Sequence, residues 1–268
     1  MTAAPSSRGL AVGLIGFGAI GRTIADRLRR GAVPNARLTG VFGGSETPAE
    51  LVTGSLDGLL EASDVVVEAA SQAAVADYGP AVKDSGRDLV VLSIGALVDD
   101  ELLERLRAPV GGRLLLSTGA CGGLDILRAA HALGPLDAVS LRSSKPPASV
   151  ACEWMDEALR RDLAATPQPV LAFSGTAREA VRLFPQSANL SGLVALATLG
   201  FDRVRVEVWG DPGLDGARHD ISAHGPAGTY SISIQNRLSP ENQRTSAVTA
   251  FAVLRCLSDA TSHWIVGC

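Results

Sequence analysis

The side chains best placed to do chemistry in this sequence are few. They are a glycine trio, Gly16-x-Gly18-x-x-Gly21, with Arg22 beside it, and then Cys121, Lys145 and His219. The trio follows the short apolar run Leu10–Ile15 and opens a stretch with Ile20, Ile24, Ala25 and Leu28 on one helical face. Strand, glycine turn, helix is the order a dinucleotide site requires. The first glycine permits the tight turn, the second lets backbone approach a pyrophosphate, and the third lets helix and strand pack closely. The helix N-terminus then faces the negative charge. Gly16, Gly18, Ala19, Ile20, Gly21 and Arg22 are therefore the expected nucleotide contacts. His219, in the polar stretch Asp211-Pro-Gly-Leu-Asp-Gly-Ala-Arg-His, is expected on a loop leading into a strand. Imidazole is the side chain that most readily moves protons near neutral pH. Lys145 precedes two prolines that fix the backbone beyond it. A cation held there suits a carboxylate, or is simply solvated.

Elements that would position these residues alternate in the first half. Strand patterns fall at Leu10–Ile15, Arg37–Phe42, Asp64–Ala69, Asp88–Ser93 and Arg113–Ser117, with helical patterns at Pro48–Val52, Gln72–Ser85 and Asp99–Leu106. Continuous apolar strands separated by helices predict a parallel sheet covered on both faces, with ligands at the carboxyl ends of its strands. After Ser117 a helix is expected over Gly119–Leu133. A strand at Val170–Ser174, helices at Thr176–Leu183 and Ala188–Leu199, and alternating strands at Asp202–Trp209 and Thr229–Gln235 follow. Alternation implies a sheet with one buried and one polar face. The fold class is α/β: a Rossmann domain (1–118, with a returning C-terminal helix in 241–268) and an α+β domain (119–240).

Composition narrows the functions available. The chain has 268 residues, 46% hydrophobic and 19% charged, which suits one large or two modest domains. With a formal net charge of −4 and no basic run, nucleic acid is not an expected partner. Met1–Gly9 has no apolar core of a signal peptide and reads as a disordered tail. No uncharged apolar run reaches the roughly 18 residues of a membrane span. Cys121, Cys152, Cys256 and Cys268 lack metal or disulfide spacing, so no metal is expected and a reducing cytoplasm fits.

Several motifs in series resemble the L-aspartate dehydrogenases. They are Gly16-Phe-Gly-Ala-Ile-Gly21, Asp64-Val-Val-Val-Glu-Ala-Ala-Ser-Gln72, Asp88-Leu-Val-Val-Leu-Ser-Ile-Gly-Ala-Leu97, Ser117-Thr-Gly-Ala-Cys-Gly-Gly-Leu-Asp125 and Lys145-Pro-Pro147. Gly175-Thr-Ala-Arg-Glu-Ala180, Phe184-Pro185 with Asn189, Asp211-Pro212 with His219, and Thr245-Ser246 continue the series. The resemblance implies a Rossmann domain, a substrate domain, a homodimer, and oxidation of a dicarboxylate amino acid, with supply of an imine to NAD biosynthesis. It puts His219 at the catalytic histidine position, and Ala120 and Asn189 at positions contacting nicotinamide. Ala217, Ser187 and Ser144 stand where the family often has Asn, Asn and Arg. Oxidising an amine at Cα needs a neutral nitrogen, and histidine with a pKa near 7 suits that proton. Arg178 is read as paired with Glu179 or Glu157, or as a substrate contact.

Two other readings remain open. Cys121, in Gly119-Ala-Cys-Gly-Gly at an expected helix start, would have a lowered pKa and could serve as the nucleophile of a semialdehyde dehydrogenase. A nucleotide sensor without chemistry is the other. On the cofactor, the acid that usually follows the second strand in NAD enzymes is replaced by Gly43-Gly44-Ser45. Glu46 could serve only if its loop curls back, and Arg22 could meet a 2′-phosphate. The expectation is NAD or NADP, with NADP or dual use favoured.

Overall fold

The computed structural model of the protein describes residues 9–185, 188–239 and 242–267. Residues 1–8 of the expected tail Met1–Gly9, with Ser187 and Cys268, lie outside the described residues. The chain forms two compact units, 1–117 with 250–268, and 118–249.

The first unit runs β1 (Leu10–Ile15), α1 (Ala19–Arg29), β2 (Ala36–Phe42), α2 (Leu56–Ala62), β3 (Val65–Glu68), α3 (Gln72–Asp84), β4 (Asp88–Val91), α4 (Asp100–Arg107) and β5 (Leu114–Leu116). All five strands are parallel in the order β2-β1-β3-β4-β5. The order reverses between β1 and β3, and the crevice at such a switch point is where α/β sheets hold ligands. Val12, Leu14, Val41, Val65, Val67 and Val90 are buried with Ile24 and Leu28 of α1. Ala250, Val253, Leu254 and Leu257 of the last helix join this core.

The second unit runs α5 (Leu124–Leu133), β6 (Ala138–Lys145), α6 (Glu157–Ala165), β7 (Val170–Thr176), α7 (Ala177–Leu183), α8 (Asn189–Ala197), β8 (Arg205–Gly210), β9 (Gly216–Gly225), β10 (Gly228–Ser239) and β11 (Asn242–Ser246). The helix α9 (Thr249–Thr261) closes the chain. The sheet order is β11-β10-β9-β6-β8-β7, antiparallel except for β6 with β8. Val139, Leu141, Val206, Val208, Ile221 and Ala223 are buried, while Ser140, Arg142, Arg205 and Ser222 between them are exposed. This is the one-faced burial that alternation predicts. Among the described residues no helix is long and apolar enough to cross a membrane.

Several expectations change. The helix expected from Gly119 begins at Leu124, because Gly119 and Gly123 hold left-handed φ values of 57° and 74° that a helix cannot contain. The Pro48–Val52 segment is one short 3₁₀ turn. The short helix α2, capped by the Ser55 side chain on Gly58 N–H, escaped notice because it spans only two turns. β6 runs to Lys145 itself, although its inward positions turn polar at Ser143 and apolar alternation fades before the strand ends. Asn242–Ser246 adds a strand beside β10, which moves the unit boundary from 240 to after Thr249.

Candidate active site

In the first unit the three glycines each meet a different physical demand. Gly16 has φ 94°, and a Cβ there would stand 2.6 Å from that of Ala70. A Cβ on Gly21 would lie 2.5 Å from the Gly16 carbonyl oxygen. Gly18 is the residue before α1, and a Cβ on it would meet nothing within 4 Å. Gly16 and Gly21 are therefore glycines for packing, whereas Gly18 borders open space at the helix N-terminus. The first turn of α1, with Ala19, Ile20 and Gly21, carries no acidic residue. The first N–H groups of a helix have no partner within the helix, and a terminus without a carboxylate fits a pyrophosphate.

Glu68, at the carboxyl end of β3, is a group that sequence reasoning passed over. Its side chain is buried and accepts from Ala70 N–H (2.8 Å), Ser93 N–H (2.9 Å) and Ser93 Oγ–H (2.8 Å). It ties the segment after β3 to the segment after β4. Burial raises its pKa, against the opposing pull of these hydrogen bonds. A glutamate ending Val-Val-Val-Glu was the available signal.

In the second unit β6 and β9 run antiparallel, with Ser143 opposite His219. The expected loop histidine is instead inside a strand and only 4% exposed. His219 faces inward because it keeps the alternation of Ala217, Ile221 and Ala223, all buried. Its Nδ1 lies 2.8 Å from Ser143 Oγ. Lys145 ends β6 two residues on, is 9% exposed, and its carbonyl accepts from Asp211 N–H (2.8 Å). Burial pushes the Lys145 ammonium down to about 8. Burial, and then the Lys145 charge, push His219 down to about 3, against a smaller pull from Asp220. The pKa near 7 expected for this histidine is therefore not its value in the unliganded protein. It is neutral, and Lys145 is the neighbour with a pKa close to the working range.

Ala120 lies in the 118–123 turn, where its carbonyl accepts from Asn236 Nδ2 at 3.0 Å. Asn236 is opposite Ala217, and Ile234 is opposite His219, so β10 carries this turn beside the histidine strand. Asn189 is the first residue of α8. Ser144 and Ala217 are buried, and Ala217 brings no polar atom of its side chain to the site. Cys121 precedes the helix instead of opening it, and burial drives its thiol up to about 12. That removes the basis for a nucleophilic cysteine, because the thiolate is the reactive form. Arg178, expected beside Glu179 or Glu157, pairs with Asp202 (2.6 Å) and stacks on Phe201. His131 accepts from Leu136 N–H, and His224 sits by Asp137. No cluster of three or more metal-binding side chains occurs among the described residues.

Residues 125–260 match the family model for the C-terminal domain of aspartate dehydrogenase. Residues 16–110 match the model for the NAD-binding domain of homoserine dehydrogenase. The L-aspartate dehydrogenase of Methanosarcina barkeri is 35% identical over 96% of this chain and 99% of its own length. L-aspartate dehydrogenase 1 of Bordetella pertussis is 37% identical over 90% of this chain and 92% of its own. The crystal structure of aspartate dehydrogenase from Thermotoga maritima has the same fold. It gives a TM-score of 0.75 at 23% identity and covers 96% of this chain and 99% of that one.

Proposed function

Because this chain belongs to the L-aspartate dehydrogenase family, we propose that it oxidises L-aspartate with NAD(P)+. The products are iminosuccinate, or oxaloacetate and ammonia after hydrolysis, and reductive amination is the reverse. The observation that carries this reading is the buried neighbourhood of His219, Ser143 and Lys145 at one end of a sheet face whose other buried side chains include Val139, Leu141, Ile221 and Ala223. Burying an ammonium and an imidazole together costs stability, and such groups persist where they serve a reaction.

A bound nicotinamide supplies the hydride acceptor for the Cα hydrogen. The chain's own residues hold the substrate and move protons. Lys145 attracts a carboxylate of the amino acid. Ser143 fixes the ring of His219, which leaves Nε2 to face the reacting nitrogen or water. In the unliganded protein burial, and then the Lys145 charge, suppress the basicity of His219. A dicarboxylate bound beside Lys145 cancels that charge, which raises the histidine toward the range of a useful base. The substrate thereby completes its own catalyst. Ala120 and Asn189 are assigned to the nicotinamide, and Gly16, Gly18, Ala19, Ile20, Gly21 and Arg22 to the rest of the nucleotide. NADP or dual cofactor use is supported by the absence of an acid at Gly43 and Gly44. A homodimer is part of this reading, as the family resemblance implies.

A substrate screen by NAD(P)H absorbance tests it. L-Aspartate oxidation, and reduction of oxaloacetate with ammonia, are each measured with both cofactors. Turnover of L-aspartate above other amino acids is expected. Absence of turnover in both directions with both cofactors overturns the reading.

A further inference from the structure

The β2–α2 connection holds an arrangement that the glycine-rich turn does not need. Gly43 and Gly44, just past β2, have φ of 76° and 92°, and only glycine takes two such values in succession without strain. A Cβ on Gly44 would lie 2.7 Å from Phe17 Cβ, so the turn is pressed onto the glycine loop itself. Thr47 locks it: its Oγ–H donates to Gly43 O (2.9 Å) and its N–H to Gly44 O (3.3 Å). Gly16 N–H donates to Phe42 O (2.9 Å). The chain thus doubles back, and Glu46 meets Arg22 in the first turn of α1 as an ion pair. The Arg22 Nε–H also donates to Phe17 O at 3.2 Å, which anchors the guanidinium at the glycine turn. Both side chains are at least half exposed.

An acid near the end of the second strand accepts the ribose 2′-hydroxyl in NAD enzymes, and an arginine accommodates a 2′-phosphate in NADP enzymes. Here one ion pair holds both kinds of group. An exposed pair is weak, and a phosphate offers an arginine more negative charge and more acceptor oxygens than a carboxylate does. We propose that Arg22 and Glu46 select the cofactor by partner exchange. Glu46 accepts the 2′-hydroxyl of NAD while still paired, and Arg22 leaves Glu46 for the 2′-phosphate of NADP. Glu46 therefore stands in for the acid missing at Gly43 and Gly44, and it penalises NADP without excluding it. This rests on the NAD(P) reading above.

Equilibrium binding of NADH and NADPH, followed by nicotinamide fluorescence, tests the exchange in wild type, Glu46→Gln and Arg22→Gln. Glu46→Gln is expected to tighten NADPH by about tenfold and weaken NADH by about threefold, since it removes one repulsive charge and one acceptor. Arg22→Gln is expected to weaken NADPH by about tenfold or more and leave NADH within about twofold. The Glu46→Gln gain should shrink in high salt, because the repulsion it relieves is exposed. If Glu46→Gln moves the NADH to NADPH ratio by less than about twofold, or Arg22→Gln weakens both cofactors equally, the exchange is overturned while nucleotide binding stands. Failure of the wild type to bind either cofactor would instead remove the NAD(P) reading, and the exchange with it.

Discussion

Ser143 Oγ and His219 Nδ1 lie 2.8 Å apart, on directly opposed residues of adjacent antiparallel strands. The backbone ladder therefore sets the ring orientation before any ligand arrives. His219→Ala should lower kcat by roughly 10²–10⁴ and leave cofactor affinity near wild type. Ser143→Ala should lower kcat by about three- to thirtyfold with little change in KM, and Ser143→Thr, which keeps the hydroxyl, should recover most of it. Steady-state kinetics of the three variants decide this. A Ser143→Ala enzyme with unchanged kcat removes the positioning role.

Lys145 is held at a cost to the fold. Its pKa is near 8 when folded and 10.5 otherwise, so below pH 8 both states are protonated and the penalty of burying the charge is fully present. Lys145→Met should therefore stabilise the protein at pH 7 by about 1–3 kcal/mol while abolishing turnover of L-aspartate. The advantage should shrink as pH rises from 8 to 10.5, where wild type folds with a neutral amine. Urea unfolding at pH 7 and pH 10 measures both. A destabilised Lys145→Met protein at pH 7 contradicts the burial argument.

His219 produces the matching effect in acid. With a folded pKa near 3 against 6.5, only the unfolded chain takes up the proton between those values. Stability should then fall as pH drops below 6.5, by about 1.4 kcal/mol for each further unit from this residue. His219→Gln should flatten the profile between pH 6 and 4. Identical acid profiles in variant and wild type would show that the histidine is already charged in the folded state.

Gly18 and Gly21 should respond differently to an added side chain. Gly18→Val projects into open space, so the fold survives and cofactor affinity falls by at least about a hundredfold. Gly21→Ala forces Cβ against the Gly16 carbonyl and should lower thermal stability as well. Melting curves paired with cofactor titrations separate the two. Full cofactor affinity in Gly18→Val would remove the pyrophosphate assignment.

Cys121 should be dispensable. Its thiol, driven up to about 12 by burial, is protonated at working pH, and hydride transfer from an amine forms no thioester. Cys121→Ala is expected to retain at least half of wild-type kcat, allowing for about a twofold effect of small repacking. Loss of activity, with covalent trapping of an aldehyde by wild type, would restore the semialdehyde dehydrogenase reading.

The sequence by itself determined the parallel sheet of the first unit, because Leu10–Ile15, Val65–Glu68 and Asp88–Val91 are short apolar runs buried on both faces. It determined the strand, glycine turn and helix at Gly16-x-Gly18-x-x-Gly21, because the glycine constraint is local to one turn. His219 and Lys145 stood out by residue type and by their resemblance to a known pattern. Their environment was not legible. His219 lies seventy-six residues from Ser143 in sequence, and only the β6–β9 register makes them neighbours. Burial of the histidine, which with the nearby Lys145 charge depresses its pKa, likewise depends on how strands far apart in sequence stack. The same holds for Glu46, which reaches Arg22 only through two left-handed glycines, and for Cys121, whose expected activation vanished when the helix began five residues later than expected and the thiol was buried. Pattern and propensity act over a few residues; pKa and partnership depend on what the folded chain brings near.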